Sequence, residues 1–340
     1  MAIFVLVGGR VNRWGKKMVV SYENDGYYYG DLFKMSDLTD FKIPLKKFGK
    51  TELHTATSSR IFTMGDSFFQ VDAESEIFAE RLEKEIKKPV FDLAAISTDP
   101  LAVLQKIGYQ KGEEKVLVLE SIERYVPANA AGYGKTSEPS NKSKFKKAVN
   151  RWCWALFNNT DMDYFFSHNR IIYPLRTLVA DFKYRVLGMV NYRVRALSKD
   201  PVKLFYGSEV LSSRRNISDE DIRRFAQSIK KLSVDLKEKY NLVLVYVAVP
   251  NSYSIYYDLD ESGFGFYNQF LPRLQKELAN LQVNFFDLYS LYVDYRAKGG
   301  QDLLYFANDS HYNSAGKEIL VKATAEKIKE MATAGLLGKL

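Results

Sequence analysis

Ile61-Phe62-Thr63-Met64-Gly65-Asp66-Ser67 is the stretch on which the reading of this chain turns. Its first four residues read as a short buried strand, and Gly65 permits a tight turn straight off the strand end. Ser67 can then begin a helix with its hydroxyl exposed and its own N–H facing an anion, or it can serve as an ordinary N-cap. Downstream, Ile77, Phe78, Leu82 and Ile86 at helical spacing predict a helix from about Asp72 to Lys88. Further strands are expected at Pro89–Leu93 and Val116–Leu119, the latter ending at Glu120. These are continuous apolar runs, as a parallel sheet covered on both faces requires.

The second half repeats the alternation. Ser218 opens a helix with Ile222, Phe225, Ile229, Leu232 and Leu236 as its buried stripe, and Ser218-x-x-Asp221 resembles a capping box. Leu242–Val249 reads as the strongest strand, ended by Pro250. A helix over roughly Tyr267–Leu281, a last strand at Val283–Asp287 and a closing helix from about Ser314 complete the pattern. Strand and helix alternating in this way predict a three-layer, doubly wound α/β domain with a mostly parallel sheet. Functional groups then collect at the carboxyl ends of the strands, where Ser67, Glu120 and the Asn308–Asn313 loop all fall.

Between the two halves the pattern breaks. Residues 128–143 are rich in Gly, Ser, Asn and Lys and read as a loop, followed by helical patterns near Phe145–Phe157 and Ile171–Leu197. The expected organisation is a domain made of 1–127 and 204–340, with 128–203 as an inserted, basic helical subdomain. The formal net charge of the chain is +8. Residues 142–203 hold thirteen Lys/Arg and four Asp, so that segment carries the whole excess. Its apolar residues, among them Ile172, Leu175, Leu178, Phe182 and Val186, alternate with Arg185, Arg193 and Arg195. That pattern suits either docking on an anionic surface or a cap packed on the main domain.

Other classes find little support. The only cysteine, Cys153, precludes an intramolecular disulfide and sits between two tryptophans as a core thiol would. No Cys/His cluster has metal-ligand spacing, so no metal and no cofactor are expected. No phosphate-loop or dinucleotide fingerprint occurs, and nucleic-acid binding would rest on the basic segment alone. The apolar run at residues 1–9 is too short to span a bilayer and lacks a basic flank and cleavage site.

A serine nucleophile needs a base, and the candidates are His54, His168 and His311. His311 alone has a carboxylate, Asp309, two residues away in a loop-forming context. Such a carboxylate can hold the imidazole in one tautomer and stabilise its charged form, although a polar turn before a helix would look the same.

Taken together, Gly65-Asp66-Ser67-Phe68 and Asn308-Asp309-Ser310-His311-Tyr312-Asn313 resemble the SGNH hydrolase superfamily. The nearer resemblance is to its branch of alginate O-acetyltransferase-like polysaccharide acetylation proteins. An Asp-x-His-Trp-type motif of that branch reads Asp309-Ser310-His311-Tyr312 here. Val118–Tyr125 is similar to the branch's strand ending in Glu with a nearby Glu-Arg. Val249–Tyr256 is similar to a segment in which lysine is common at the position of Ser252. The resemblance spans about 27–124 and 203–328 and leaves out the basic segment. One residue rather than two separates Asp309 from His311, as in that branch, but the serine precedes the Asp-x-His motif, as in ordinary SGNH hydrolases. The usual oxyanion-hole glycine is replaced around Ser97-Thr98, and the usual asparagine by Glu120.

The resemblance implies Ser67 as nucleophile, His311 as base and Asp309 as its orienting acid. The Ser67 N–H would be the oxyanion donor, with Ser97, Thr98, Glu120 and Arg124 as further oxyanion or substrate-binding candidates. Glu120, if buried, needs a cation such as Arg124. The implied activity is transfer of an acyl group, acetyl by preference, to a polysaccharide through an acyl-Ser67 intermediate. The location would be extracytoplasmic, and a membrane-bound O-acyltransferase would be the donor partner. A carbohydrate acetyl esterase, or a non-catalytic glycan-binding protein on the same fold, are the alternatives.

Overall fold

The computed structural model describes residues 29–45, 59–70, 76–93, 99–133, 172–191, 193–199, 202–260, 265–299 and 303–337. In chain order these form α1 (Asp31–Ser36), β1 (Ile61–Met64), α2 (Ser67–Gln70), α3 (Phe78–Ile86), β2 (Val90–Asp92), α4 (Pro100–Lys106), β3 (Lys115–Ile122) and α5 (Val126–Gly132). There follow α6 (Ile172–Leu187), β4 (Val194–Lys199), β5 (Val202–Tyr206), α7 (Gly207–Arg214), α8 (Asp219–Tyr240), β6 (Leu242–Val249), α9 (Ser252–Tyr256), α10 (Phe270–Asn280), α11 (Leu288–Ala297) and α12 (Ser314–Thr333).

The main sheet has the order β2-β1-β3-β6, and its neighbouring strands pair in parallel. Successive side chains of a strand point to opposite faces, and this sheet buries both. Val116 and Val118 of β3 pack with Phe78 and Leu82 of α3 and with Leu320, Ala325 and Ile328 of α12. Leu117 and Leu119 face the other way, onto Ile229 and Leu232 of α8 and Leu274 and Leu278 of α10. The result is the expected three-layer, doubly wound α/β fold. The strand order reverses between β1 and β3, and Ser67 and Arg124 follow the carboxyl ends of these two strands, the place where doubly wound sheets bind their ligands.

Local chemistry sets the helix ends. Ser218 accepts a hydrogen bond from the Asp221 N–H and starts α8, and Asn241 in the left-handed conformation ends it. The Asn313 side chain caps α12 through the Ala315 and Gly316 N–H groups.

Several expected elements differ. Residues 283–287 form no strand beyond a single parallel bridge from Phe285 to Tyr246. The helix expected from Asp72 is described only from Phe78 onward, with 71–75 outside the described residues. Residues 128–132, expected as the start of a loop, belong to the helix Val126–Gly132, started by Pro127 in the first turn and carried by Ala128, Ala130 and Ala131. Residues 134–143 lie outside the described residues. The helix expected over 171–197 stops at Leu187, where Gly188 takes φ +63°, and β4 and β5 pair as an antiparallel hairpin. The inserted segment is therefore not wholly helical, and the boundary expected at 203/204 falls inside β5.

This hairpin builds a third, small core. Val194 and Leu204 pack with Leu32, Phe33, Leu38 and Phe41 of the α1 region. Arg176 and Arg185 of α6 pair with Asp37 and Asp40, and Asp181 accepts from Thr39. Arg176 and Arg185 of α6 thus reach the α1 region, while Leu175, Leu178, Phe182 and Val186 are each more than half exposed. Arg185, expected to face an anionic surface, is paired with Asp40 while its side chain stays largely exposed. Arg193 is exposed; the Arg195 side chain and residues 142–171, with Cys153 and His168, lie outside the described residues. No helix among the described residues is long and apolar enough to cross a membrane.

The α1 region also grips the loop before α12. Asn308 is buried, and its side-chain amide donates to the carbonyls of Tyr29, Phe41 and Ile43. Gly30, at φ +86°, lies so close that a Cβ would come 2.3 Å from the Asn308 carbonyl oxygen. Asn308→Ala strips a shared donor from three carbonyls, that of Phe41 buried, and should cost on the order of 3 kcal/mol. The check is the urea midpoint, which should fall with an unchanged m-value.

Candidate active site

The turn after β1 carries the first component. Gly65 is pressed on Glu120 of β3, and a Cβ there would lie 2.5 Å from Glu120 Oε2 and 2.9 Å from its Cβ. The Asp66 N–H donates to that same Oε2 at 2.8 Å. Asp66 Oδ1 accepts from the Phe68 N–H at 2.9 Å, so the N-cap of α2 is Asp66. Ser67 is thereby released from capping, and it is exposed.

The second component is the loop before α12. The Asn313 N–H donates to the Leu304 carbonyl and the Phe306 N–H to the His311 carbonyl, closing a tight hairpin. The Tyr312 hydroxyl donates to the Phe68 carbonyl, which ties this loop to α2. The His311 ring also lies against the Phe68 ring, with centroids 4.7 Å apart.

The two components meet. His311 Nε2 is 2.8 Å from Ser67 Oγ, and His311 Nδ1 is 2.6 Å from Asp309 Oδ1. An ionised carboxylate only accepts, so Nδ1 carries the proton, and Nε2 is left to accept from the Ser67 hydroxyl. Asp309 Oδ1 also accepts from the His311 N–H at 2.9 Å, and Oδ2 from the Asp31 N–H at 3.0 Å. Burial works to raise the Asp309 pKa, but these bonds and the His311 charge outweigh it and hold the carboxyl below 3.8. Burial likewise works against the imidazolium, but Asp309 and then Asp31 outweigh it and place the His311 pKa above 6.5. A hydroxyl, an imidazole and a carboxylate in this order can move a proton off the hydroxyl and hold it.

Of the other expected site residues, Arg124 flanks this group. Its guanidinium lies over the rings of Phe68, Tyr125 and Tyr206, at 5.7, 5.0 and 5.6 Å from their centroids. The pairing expected between Arg124 and Glu120 is not formed. Arg124 Nη1 donates to Glu209 Oε1 at 3.0 Å, and the other Glu209 oxygen accepts from Ser252. Glu209 is fully buried, and a guanidinium offsets its burial more directly than Glu120 could compete for. Glu120 instead backs the Gly65 turn with Oε2, and its buried Oε1 has no hydrogen-bond partner among the described residues. Ser97 and Thr98 lie outside the described residues, as does His54.

Three neighbours of this group escaped the sequence reading. Asp31 binds the Asp309–Ser310 segment from 278 residues away. Lys203, fully buried, donates to the Phe306 carbonyl at 2.7 Å, and burial lowers its pKa to about 8. Glu209 anchors Arg124. No local pattern marks any of them; the Gly30-Asp31 pair before a helix was the only signal, and it reads as an ordinary helix start.

Asp31, Asp309 and His311 each offer a donor atom within 4.8 Å of the others, a spacing that metal sites share. Their oxygens already accept from Ser310, His311 and the Asp31 N–H, so the cluster is wired as a hydrogen-bond relay.

No family model matches the chain, and no curated protein matches it. Among solved structures it is similar to a catalytic mutant of an acetylxylan esterase from Geobacillus stearothermophilus, at 9% identity and a TM-score of 0.36. That match covers 79% of this chain and 94% of the other.

Burial first, and then the charge of Asp66, raise the Glu120 pKa well above 4.5. A carboxyl raised on folding contributes fully below its unfolded pKa, and the contribution is lost as pH rises towards the folded value. Glu120→Gln, neutral at every pH, should therefore gain stability relative to the parent as pH rises from about 4.5. Urea titrations of both proteins between pH 4 and 8 test this, and a constant difference would contradict the assignment.

Proposed function

We propose that the protein is a serine-dependent acyl-ester enzyme in which Ser67 is the nucleophile, His311 the general base and Asp309 its orienting carboxylate. The observation that carries this reading is the unbroken hydrogen-bond chain Ser67 Oγ–His311 Nε2, His311 Nδ1–Asp309 Oδ1 at the carboxyl edge of a parallel sheet.

The chemistry follows from the atoms in place. Ser67 Oγ attacks the acyl carbonyl carbon while His311 Nε2 takes its proton. Negative charge develops on the carbonyl oxygen, and the Ser67 N–H is the donor we assign to it. The tetrahedral adduct collapses as His311 returns the proton to the departing alcohol oxygen, leaving acyl-Ser67. A second hydroxyl, from water or a sugar, then gives its proton to His311 and attacks the acyl carbon; the bond from that carbon to Ser67 Oγ breaks as His311 passes the proton to Oγ, which restores Ser67 and neutral His311. Glu120 serves the Gly65 turn rather than the oxyanion, and Arg124, walled by three aromatic rings beside Phe68, is a substrate-binding candidate.

The motif resemblance favours acetyl as the acyl group, a glycan hydroxyl as acceptor and a membrane-bound O-acyltransferase as donor. Hydrolysis of acetylated carbohydrate uses the same three residues. Incubation with an activated acetyl ester, followed by intact-mass analysis, should reveal an acetyl adduct on Ser67, and an oligosaccharide panel separates transfer from hydrolysis.

Ser67→Ala should fold normally and lose about 10⁴-fold or more in ester turnover. Near-parental turnover by that variant would defeat the proposal. Because His311 must be neutral to accept a proton, kcat/KM should rise with pH through a midpoint above 6.5 and then level off. A profile flat from pH 5 to 8, in a step shown to report chemistry, would remove His311 as the base.

A further inference from the structure

Asp31 makes more contacts with the acid–base loop than its place in a short helix requires. Its Oδ1 accepts from the Ser310 N–H at 2.8 Å and its Oδ2 from the Ser310 hydroxyl at 2.6 Å. Its own N–H donates to Asp309 Oδ2 at 3.0 Å. Both sides of Asp309–Ser310 are thus held by one residue. Gly30 before it is packed on Asn308, and the Phe33 N–H donates to the Asn308 carbonyl at 3.1 Å, so Asp31 sits on a fixed support.

We infer that Asp31 is a positioning residue of the active site, a second carboxylate that fixes the Asp309–Ser310–His311 segment and adds its charge to the field at the imidazole. The inference rests on the acyl-transfer reading of Ser67, Asp309 and His311. The physical argument is one of geometry. Asp309 must present Oδ1 to Nδ1 while its other oxygen stays satisfied, and Ser310 must not rotate between them. A loop alone does not supply that precision; a misplacement of about 1 Å at a reacting group can cost on the order of 10²-fold in rate.

The charges around this group are few and come from separate elements. Asp309 lies on the same loop, with Asp31 behind it on α1. Lys203 on β5 is near enough to feel both Asp31 and Asp309. Glu209 on α7 feels Asp31, and Arg124 after β3 opposes a charge on His311. Burial and the Asp309 charge raise the Asp31 pKa, while His311 and the two Ser310 donors work to keep the carboxylate ionised.

The test uses the whole chain and two independent readouts. The first is the His311 imidazole titration by NMR; the sequence has three histidines, and His311→Gln assigns the signal. In Asp31→Asn the His311 midpoint should move to lower pH by roughly one unit, since an anion a few ångströms away is lost. The second is ester turnover, where kcat should fall on the order of 10²-fold with KM changed little. Ser310→Ala keeps the Asp31 charge but removes one bond to it. This variant should lose roughly tenfold in kcat while the His311 midpoint hardly moves. A folded Asp31→Asn protein with an unmoved His311 midpoint and parental kcat overturns the inference. If Asp31→Asn does not fold, parental kcat in Ser310→Ala overturns it. If the parent turns over no ester, the acyl-transfer reading fails by itself, and the NMR midpoint still decides whether Asp31 acts on His311.

Discussion

A carboxylate leaves water only if protein donors replace the water, and Asp309 shows what that constraint demands of a whole fold. The donors are the His311 N–H, the His311 imidazole and the Asp31 N–H. The first two come free with the local turn. The third must be brought from the far end of the chain, and α1, the β4–β5 hairpin and the Asn308 amide form the frame that brings it. The Leu204 N–H donates to the Ala307 carbonyl, and Lys203 donates to the Phe306 carbonyl, so β5 grips the same loop from another side. The small core of Leu32, Phe33, Phe41, Val194 and Leu204 supplies the apolar burial that holds this frame together.

The serine turn is set by a different balance. Gly65 has no room for a Cβ, because β1 and β3 are neighbours and Glu120 projects beneath the turn. Glu120 gives up an exposed, charged state to receive the Asp66 N–H. Asp66 in turn caps α2, and Ser67 is left with no structural duty. Division of labour of this kind leaves a hydroxyl exposed at the end of a buried strand. The Tyr312–Phe68 hydrogen bond then fixes the distance between the serine turn and the histidine loop. Removing either tie would leave all three residues present but unable to act as a unit.

Much of this was legible beforehand. Strands β1, β3 and β6 are continuous apolar runs whose two-sided burial follows from the parallel sheet, and α8 announces itself by its cap and its stripe. Ser67, Asp309 and His311 could be singled out because a turn glycine, a spacing of two and the scarcity of histidine are all local. What misled were segments whose local composition is indifferent. Residues 128–132 looked like part of a polar loop, yet their alanines and the first-turn Pro127 make a short helix there. The apolar run of 283–287 looked like a strand, yet its contact with β6 is a single bridge.

The sequence by itself determined the alternation of strand and helix, the parallel character of the sheet, and the identity of the serine, histidine and aspartate at its carboxyl edge. Each of these depends on a periodicity or a spacing of a few residues, which side-chain size and backbone freedom enforce wherever the chain runs. Only the tertiary structure decided that Arg124 answers Glu209 rather than Glu120, that Asp66 rather than Ser67 caps the helix, and that Asp31 stands behind Asp309. Those choices are settled by which buried charges and donors come within about 3 Å of one another, and hydrogen bonds of that length can join residues any distance apart along the chain.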